Sequence, residues 1–267
     1  MTVAEFESLT AEGLASENIS AQSRKYLNEN RVHAIDSAKR VVESCEKLNI
    51  QILYPGHGLY PLGFTELEDP PIFLSLEGNW PAVKSMAVVG SREPSRYAVD
   101  WLNTNLPIVL SQNECLVVSG GARGIDLTAH LAAARSGKPT LVYLPSGLDN
   151  FYPRDLSRYK DLILEAGGGF VSELSPDTEM RKFHFIKRNR LIVASADLIF
   201  VVEARRKSGS MLTANIAGSM NKTVCTIPSA PSLSCSQGSL DLIFGGAFPI
   251  RDHLDLSALV SISSRHA

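Results

Sequence analysis

The feature that most constrains the fold of this chain is an apolar, β-branched run that passes through a glycine-rich turn into an alanine-rich segment. The run is Cys115-Leu-Val-Val-Ser119, the turn covers residues 120–124, and the segment covers residues 125–136. In parallel sheets, a buried strand meets the N-terminus of the next helix through such a turn, where free backbone amides can bind an anion. The sequence therefore predicts a strand, a turn and a helix, with a potential phosphate site at the turn.

The same alternation of short apolar runs and helical segments continues on both sides of this unit. The predicted strands cover residues 86–89, 116–119, 140–144, 170–172, 198–202 and 223–227. The predicted helices cover residues 95–110, 125–136, 155–166, 186–194, 210–220 and 239–244. Strands that are apolar on both faces and alternate with helices are typical of a parallel sheet covered on two sides. We therefore expect an α/β fold with a Rossmann-like, doubly wound, mostly parallel sheet.

Changes of composition along the sequence divide the chain into four parts. Residues 1–48 carry apolar side chains at helical spacing, which predicts a small helical N-terminal region. Residues 49–80 are interrupted by proline and glycine, which predicts a connecting segment with short strands at 50–54 and 72–76. Residues 81–251 form the predicted main domain. Residues 252–267 form a C-terminal tail without a strong pattern.

Composition limits the classes of protein to which the chain can belong. With 267 residues, of which 44% are hydrophobic, the chain can bury a substantial core. Its apolar runs are much shorter than the roughly 20 residues that span a bilayer. Its N-terminus lacks the basic and apolar regions of a signal peptide. We therefore expect a cytoplasmic protein that does not enter a membrane.

The cysteines and the net charge argue against two further kinds of site. Cys45, Cys115, Cys225 and Cys235 show no metal-binding spacing, and we expect Cys115 and Cys225 to be buried in strands. The net charge is only −2, so the molecule as a whole does not attract nucleic acid. Any polyanion site must therefore be a local concentration of positive charge, and we expect neither a metal ion nor a cofactor.

Ligands of doubly wound sheets bind at the carboxyl ends of the strands, so the residues after each predicted strand are informative. Glycines there let backbone amides approach a phosphate, hydroxyl groups donate further hydrogen bonds, and arginines supply paired donors. The residues at three of these turns, which we expect to bind phosphate, are Gly90, Ser91 and Arg92, then Ser119, Gly120, Gly121, Ala122, Arg123 and Gly124, and finally Ser208, Gly209 and Ser210.

The turn at residues 120–124 does not fit the two common nucleotide-binding motifs. A dinucleotide fingerprint needs three spaced glycines and an acidic residue about 20 positions later for the ribose. Here only Gly121 and Gly124 have the spacing, and no Asp or Glu occurs in residues 127–148. A P-loop is also absent, because Gly137-Lys138 is followed by proline. The motifs therefore disfavour a nicotinamide or ATP site.

A second candidate binding element is the segment 181–190, which contains five cationic residues, one histidine and two phenylalanines. Basic side chains neutralise phosphates while aromatic faces stack on unpaired bases, a combination suited to single strands. The alternative is a solvated, basic helix start whose Phe183 and Phe185 pack in the core. Because the segment precedes a predicted strand, it can lie over the same rim as Arg92 and Arg123.

No arrangement of side chains requires an enzyme, and we expect none. Asp126 and His130 share a face of a predicted helix, where a first-turn acid and a structural histidine are the simpler interpretation. Glu173 and Glu203 end strands, where we expect helix capping or pairing with arginine.

Seven ordered motifs lie between about residues 50 and 250. They include Val88-Val-Gly-Ser-Arg92, Ser119-Gly-Gly-Ala-Arg-Gly-Ile-Asp126, Gly147-Leu-Asp with Tyr152-Pro153, Phe185 with Arg188-Asn-Arg190, and Ser208-Gly-Ser210. In these motifs the chain resembles the DNA-processing protein A family, also called Smf. The resemblance implies an extended Rossmann fold that binds single-stranded DNA in a basic pocket, forms a homodimer and loads the RecA recombinase during natural transformation.

The resemblance also implies which residues contact the DNA. Besides the turn residues after the three strands, it adds Phe185, Lys187, Arg188, Asn189 and Arg190 to the expected site. It implies no catalytic residue and no metal ligand.

Two other functions stay open at this point. A phosphoribohydrolase-like enzyme of the Rossmann group, which releases a base from a nucleoside monophosphate, would carry a Pro-Gly-Gly-x-Gly-Thr motif with neighbouring glutamates. The comparable turn here covers residues 203–210 and lacks that motif. The other alternative is a nucleotide-sensing module that does not bind polynucleotides.

Overall fold

The computed structural model of the chain describes residues 21–263. Within these residues, the eight α-helices are α1 (Ala21–Lys47), α2 (Arg96–Gln112), α3 (Ile125–Arg135), α4 (Lys160–Glu165), α5 (Lys182–Ala194), α6 (Gly209–Ser219), α7 (Gln237–Phe244) and α8 (His253–Ile262). The nine strands are β1 (Gln51–Leu53), β2 (Leu74–Gly78), β3 (Lys84–Val89), β4 (Cys115–Ser119), β5 (Thr140–Tyr143), β6 (Gly169–Ser172), β7 (Leu198–Val201), β8 (Thr223–Thr226) and β9 (Phe248–Pro249).

These strands form one sheet in the order β1-β2-β6-β5-β4-β3-β7-β8-β9. Every neighbouring pair from β6 to β9 is parallel, whereas β1 pairs antiparallel with β2, and β2 pairs antiparallel with β6. The chain runs outward from β3 in one direction through β4 and β5, and later in the other direction through β7 and β8. The predicted α/β fold with a doubly wound, mostly parallel sheet is therefore confirmed.

The central strands are buried on both faces because helices cover the sheet on two sides. All positions of β4 and β7 are buried. One face packs against α2, α3 and α8, with Leu102, Ala129 and Val260 in one core cluster. The other face packs against α5 and α6, with Leu191 and Ala214 in a second cluster. The predicted burial of Cys115 and Cys225 is confirmed.

Two helices differ from the prediction at their N-terminal ends. Helix α5 begins at Lys182 rather than at residue 186. Its first turn is stabilised by His184, whose Nδ1 lies 3.2 Å from the otherwise unpaired backbone nitrogen of Arg181. The predicted helix 155–166 is a 3₁₀ segment at Arg154–Tyr159 followed by the short α4. The amide of Leu156 donates to the carbonyl three residues earlier, which closes a 3₁₀ turn.

Both ends of the described chain pack against the main sheet domain. Of the predicted N-terminal helical region, residues 1–20 lie outside the described residues, and α1 packs Val42 and Cys45 with β1 residues in a third core cluster. In the predicted tail, α8 contacts α2, and Trp101 Nε1 donates to the Arg251 carbonyl at 2.9 Å. Residues 264–267 of the tail lie outside the described part, and the three boundaries predicted between the four parts of the chain stay predictions.

Along residues 21–263, no helix combines the length and the apolar character needed to cross a bilayer.

Candidate nucleic-acid interface

A cleft of about 510 Å³ opens at the carboxyl ends of β3 and β7. These neighbouring strands are the point at which the order of the sheet reverses, because α2 follows β3 onto one face and α6 follows β7 onto the other. The two turns diverge there, and the gap between them is the usual ligand site of a doubly wound sheet. Residues 90–93 form one wall of the cleft and residues 208–213 form much of the other.

The turn after β3 is held by backbone hydrogen bonds on both sides. The Ser91 amide donates to the Glu203 carbonyl at 2.8 Å, and the Ser91 carbonyl accepts from the Ile125 amide at 3.1 Å. The buried carboxylate of Glu203 accepts from the amide of Ser95, the N-cap of α2, at 3.0 Å. Glu203 therefore supports the start of a helix, as expected. The fixed turn leaves Arg92 exposed beside the cleft.

A cation and two aromatic rings lie in contact at the rim. The Arg92 guanidinium lies 5.0 Å from the centre of the Phe185 ring, within cation–π range. The Tyr152 ring meets Phe185 edge-on, with 5.7 Å between the ring centres. Phe183 is 51% exposed, so the alternative in which both phenylalanines belong to the core is wrong for Phe183. Lys187 is exposed, as expected for a phosphate contact.

Arg188 lies beneath the cleft rather than on its surface. Only 5% of it is exposed, and its guanidinium donates to the Tyr143 carbonyl at 2.9 Å. Burial lowers the pKa of Arg188 to about 10, although the nearby Asp126 carboxylate opposes this shift. Burial in turn raises the pKa of Asp126, against the charge of Arg188. Arg188 is therefore still protonated at neutral pH, and its positive charge acts on the cleft from below.

Arg190 and Asn189 differ from the solvated residues that the sequence suggested. Arg190 is mostly buried and ion-paired with Glu173, and its guanidinium lies 3.8 Å from Asp69. The expected pairing of Glu173 with an arginine is confirmed. Asn189 is half-buried and lines the cleft. The charge of Arg190 is thus balanced within the protein, whereas Asn189 belongs to the lining of the cleft.

Residues 119–124, which we expected to contact phosphate, pack largely against other residues of the protein. Ser119 is buried and donates to the Val88 carbonyl at 2.5 Å. A side chain at Gly120 would lie 1.6 Å from Arg188 Nη1, and one at Gly121 would lie 2.8 Å from the Leu156 and Val142 side chains. Glycine at these two positions therefore leaves room for the side chains of Arg188, Leu156 and Val142.

Three further residues complete this turn. Gly124, the N-cap of α3, has a φ of +86°, and a Cβ there would lie 2.3 Å from the Ser91 carbonyl oxygen. Ala122 lines the cleft, and Arg123 is exposed and paired with Asp155. The turn therefore supports residues 90–93 through Gly124, and it contributes Ala122 to the lining of the cleft.

The N-terminus of α6 forms the opposite wall. Ser208 caps the helix by accepting from the Met211 amide, and Gly209 lines the cleft without a side chain. Ser210 donates to the Gly90 carbonyl at 2.8 Å, which joins the two walls. A capped helix N-terminus with positive partial charge favours an anion in front of it.

Two residues outside the expected site, Arg205 and Thr213, line the same cleft. Arg205 is exposed and lies 3.5 Å from the Glu93 carboxylate. Thr213 follows Ser210 by three residues on α6, a spacing that places both on one helix face and could have identified it. The neighbouring Arg206 is paired with Asp241 instead. The basic side chains after β7 therefore point to different parts of the protein.

The histidine that shares a helix face with Asp126 has a structural role. His130, the titratable neighbour of Asp126 on α3, is fully buried, and burial lowers its pKa to about 3. Its Nδ1 lies 2.7 Å from the Thr140 hydroxyl, so its role is structural. Among the described residues, no group of three or more His, Cys, Asp or Glu side chains could hold a metal ion.

Comparison with known proteins assigns the chain to a family. The model of the family described as DNA recombination-mediator protein A matches residues 51–261. Protein Smf of Borreliella burgdorferi is 34% identical over 218 residues, which cover 81% of this chain and 68% of the relative. The DNA processing protein DprA of Streptococcus pneumoniae is 36% identical over 203 residues, which cover 74% of this chain and 70% of the relative.

Two solved structures share the fold. The X-ray structure of DNA processing protein A from Streptococcus pneumoniae superposes with a TM-score of 0.72 and 31% identity, covering 81% of this chain and 75% of that one. A structure of DNA processing protein A from Helicobacter pylori, described for its single-stranded DNA binding mode, superposes with a TM-score of 0.69 and 26% identity, covering 79% of this chain and 95% of that one. The family model, the curated relatives and these structures agree, and the chain belongs to the DNA recombination-mediator protein A family.

Proposed function

We propose that this protein binds single-stranded DNA in the cleft between β3 and β7 and acts as a non-catalytic recombination mediator. In this role a homodimer in the cytoplasm would protect incoming single strands and load a RecA-type recombinase on them, as in natural transformation. Family membership and the single-stranded DNA binding mode described for the Helicobacter pylori protein support the DNA ligand. The recombinase, the dimer and the setting follow from the family resemblance.

The observation that carries the proposal is the contact of Arg92 with Phe185 at the rim of the cleft. A guanidinium over an aromatic ring places a phosphate donor next to a surface on which an unpaired base can stack. A paired base is not available for such stacking, because both its faces are covered in the duplex. The arrangement therefore favours a single strand over a duplex.

The charges around the cleft support a backbone contact. Arg92 and Arg205 are exposed and line the cleft, Lys187 is exposed on α5 outside this lining, and Arg188 adds a buried charge. The net charge of the whole chain is −2, so this cluster stands out locally. Each cation that neutralises a phosphate releases counterions, which makes binding depend on salt.

A titration of fluorescent oligothymidylate by anisotropy at several salt concentrations tests this function. We expect log K to fall with log salt with a slope of about −2 to −3, which corresponds to three or four neutralised phosphates of a single strand. Duplex DNA of the same length should bind more weakly, and excess thymidine monophosphate should not displace the strand. Equal affinity for duplex, or displacement by the mononucleotide, would contradict the proposal and favour a nucleotide-sensing module. Release of free base from a nucleoside monophosphate would favour a phosphoribohydrolase.

A further inference from the structure

A carboxylate lies between two arginines beside the turn after β4. Asp155 Oδ2 lies 2.8 Å from Arg123 Nη2, and Asp155 Oδ1 lies 3.7 Å from Arg158 Nη2. The three side chains are 45–76% exposed, so solvent reaches all of them. One acidic group is thus shared by two guanidinium groups, and the cluster keeps a net positive charge.

The segment that carries Asp155 is fixed by packing. Leu156 is fully buried and occupies the space that a side chain at Gly121 would need. Phe151, at the start of the segment, packs on Phe170 with 4.9 Å between the ring centres, and Lys160 lies over its ring at 5.2 Å. The positions of Asp155 and Arg158 next to Arg123 are therefore set by the core.

The same segment reaches the cleft through its aromatic residue. Tyr152 contacts Phe185, and Phe185 contacts Arg92 at the rim. Contacts thus run without a break from Arg92, across the rings of Phe185 and Tyr152, to the segment that carries Asp155 and Arg158. A strand that leaves the cleft over the rings would arrive at Arg123 and Arg158.

A phosphate has the chemistry to replace Asp155 at this place. Both groups are anions that accept hydrogen bonds from a guanidinium, and arginine pairs with either in the same forked geometry. Exposed ion pairs contribute little to stability, so the protein loses little when Asp155 is displaced. A phosphate of a bound strand would gain two cationic partners there.

We propose that Arg123 and Arg158 form a second phosphate subsite for single-stranded DNA, which the Asp155 carboxylate occupies until a strand displaces it. This inference rests on the proposed function of the cleft. Its consequence is a dependence on length: a strand confined to the cleft does not meet Asp155, whereas a longer strand must compete with it.

The test compares Asp155→Asn with the wild type on oligothymidylates of about 4 and about 16 nucleotides. We expect Asp155→Asn to bind the long strand about five- to tenfold more tightly, because the amide neither pairs with the arginines as an ion nor repels the phosphate. The salt slope for the long strand should become steeper, because in the wild type the displaced Asp155 carboxylate takes up a cation that offsets part of the counterion release. Affinity for the short strand should not change.

Two further variants assign any effect to the subsite. The double variant Arg123→Ala with Arg158→Ala should bind the long strand more weakly, with no change in its affinity for the short strand. Adding Asp155→Asn to this double variant should not raise its affinity for the long strand. Asp100→Asn is the matched control, because it removes the same charge from the exposed Arg96–Asp100 pair on α2. It should leave both affinities unchanged.

The outcomes separate this inference from the function on which it rests. If the wild type binds neither strand, the proposed function fails. If it binds both strands and Asp155→Asn changes neither affinity, or changes both equally, the second subsite is overturned while the cleft stands. Because these side chains are exposed, the variants should unfold at the temperature of the wild type, which circular dichroism checks.

Discussion

Replacing Arg92 and Lys187 together with alanine should weaken the binding of single-stranded oligothymidylate about 100-fold. A hydrogen bond to a charged group contributes about 1.5 kcal/mol, so the loss of two phosphate contacts removes about 3 kcal/mol. Alanine at position 92 also removes the cation that lies over the Phe185 ring. Fluorescence anisotropy at fixed, low salt measures the change, and the salt slope should fall by about 1.4 for the two lost contacts.

The matched control for this variant is Arg135→Ala with Lys138→Ala. These residues carry the same charges, but Arg135 ends α3 and Lys138 precedes β5, at the amino edge of the sheet and away from the cleft. We expect their removal to change the affinity less than threefold, as an effect of net charge alone. Equal losses in both double variants would mean that general charge, and not the cleft, holds the strand.

Arg188→Met should lower the free energy of unfolding by about 3–5 kcal/mol, because it leaves Asp126 buried without its cationic neighbour. It also removes the donor to the Tyr143 carbonyl. In the wild type, the charge of Arg188 opposes the rise of the Asp126 pKa caused by burial. In the variant this pKa should rise further, so that the folded state retains a proton that the unfolded state releases above about pH 4. Urea unfolding measures the loss.

The pH dependence of this variant follows from the direction of that shift. A raised pKa in the folded state contributes stability at low pH, and the contribution is lost as pH rises through the folded pKa. The deficit of Arg188→Met relative to the wild type should therefore be smaller at pH 5 than at pH 8. Adding Asp126→Asn removes the buried charge and should recover much of the stability and flatten the pH dependence. A single variant as stable as the wild type at every pH would show that the two charges are not coupled.

The sequence predicted the strands well because their signal is local. Short runs that are apolar on both faces and alternate with helical segments have few other structures open to them, and β3 to β8 lie within two residues of their predicted bounds. The start of α5 was less predictable, because Phe183 and Phe185 alternate with Lys182 and His184 there, which is not the apolar period of a helix. The 3₁₀ segment before α4 also carries a helical pattern, and only its hydrogen bonds distinguish it from an α-helix.

The site was predictable in its position and less so in its details. Topology places the turns after the parallel strands at one edge of the sheet, so the sequence could bring Arg92 and Ser208 together. The burial of Arg188 and the pairing of Arg190 depend on Asp126, Glu173 and Asp69, which are distant in sequence and become neighbours only in the fold. The sequence also could not show that Gly120 and Gly121 leave room for side chains from other parts of the fold.

Hydrogen–deuterium exchange with and without oligothymidylate tests the location of the strand most directly. Bound DNA should slow amide exchange at residues 90–93, in the first turns of α5 and at the N-terminus of α6, because these backbone segments line the cleft. Exchange at residues 135–139, on the opposite edge, should not change. Protection at that edge, with unchanged exchange around the cleft, would contradict the account.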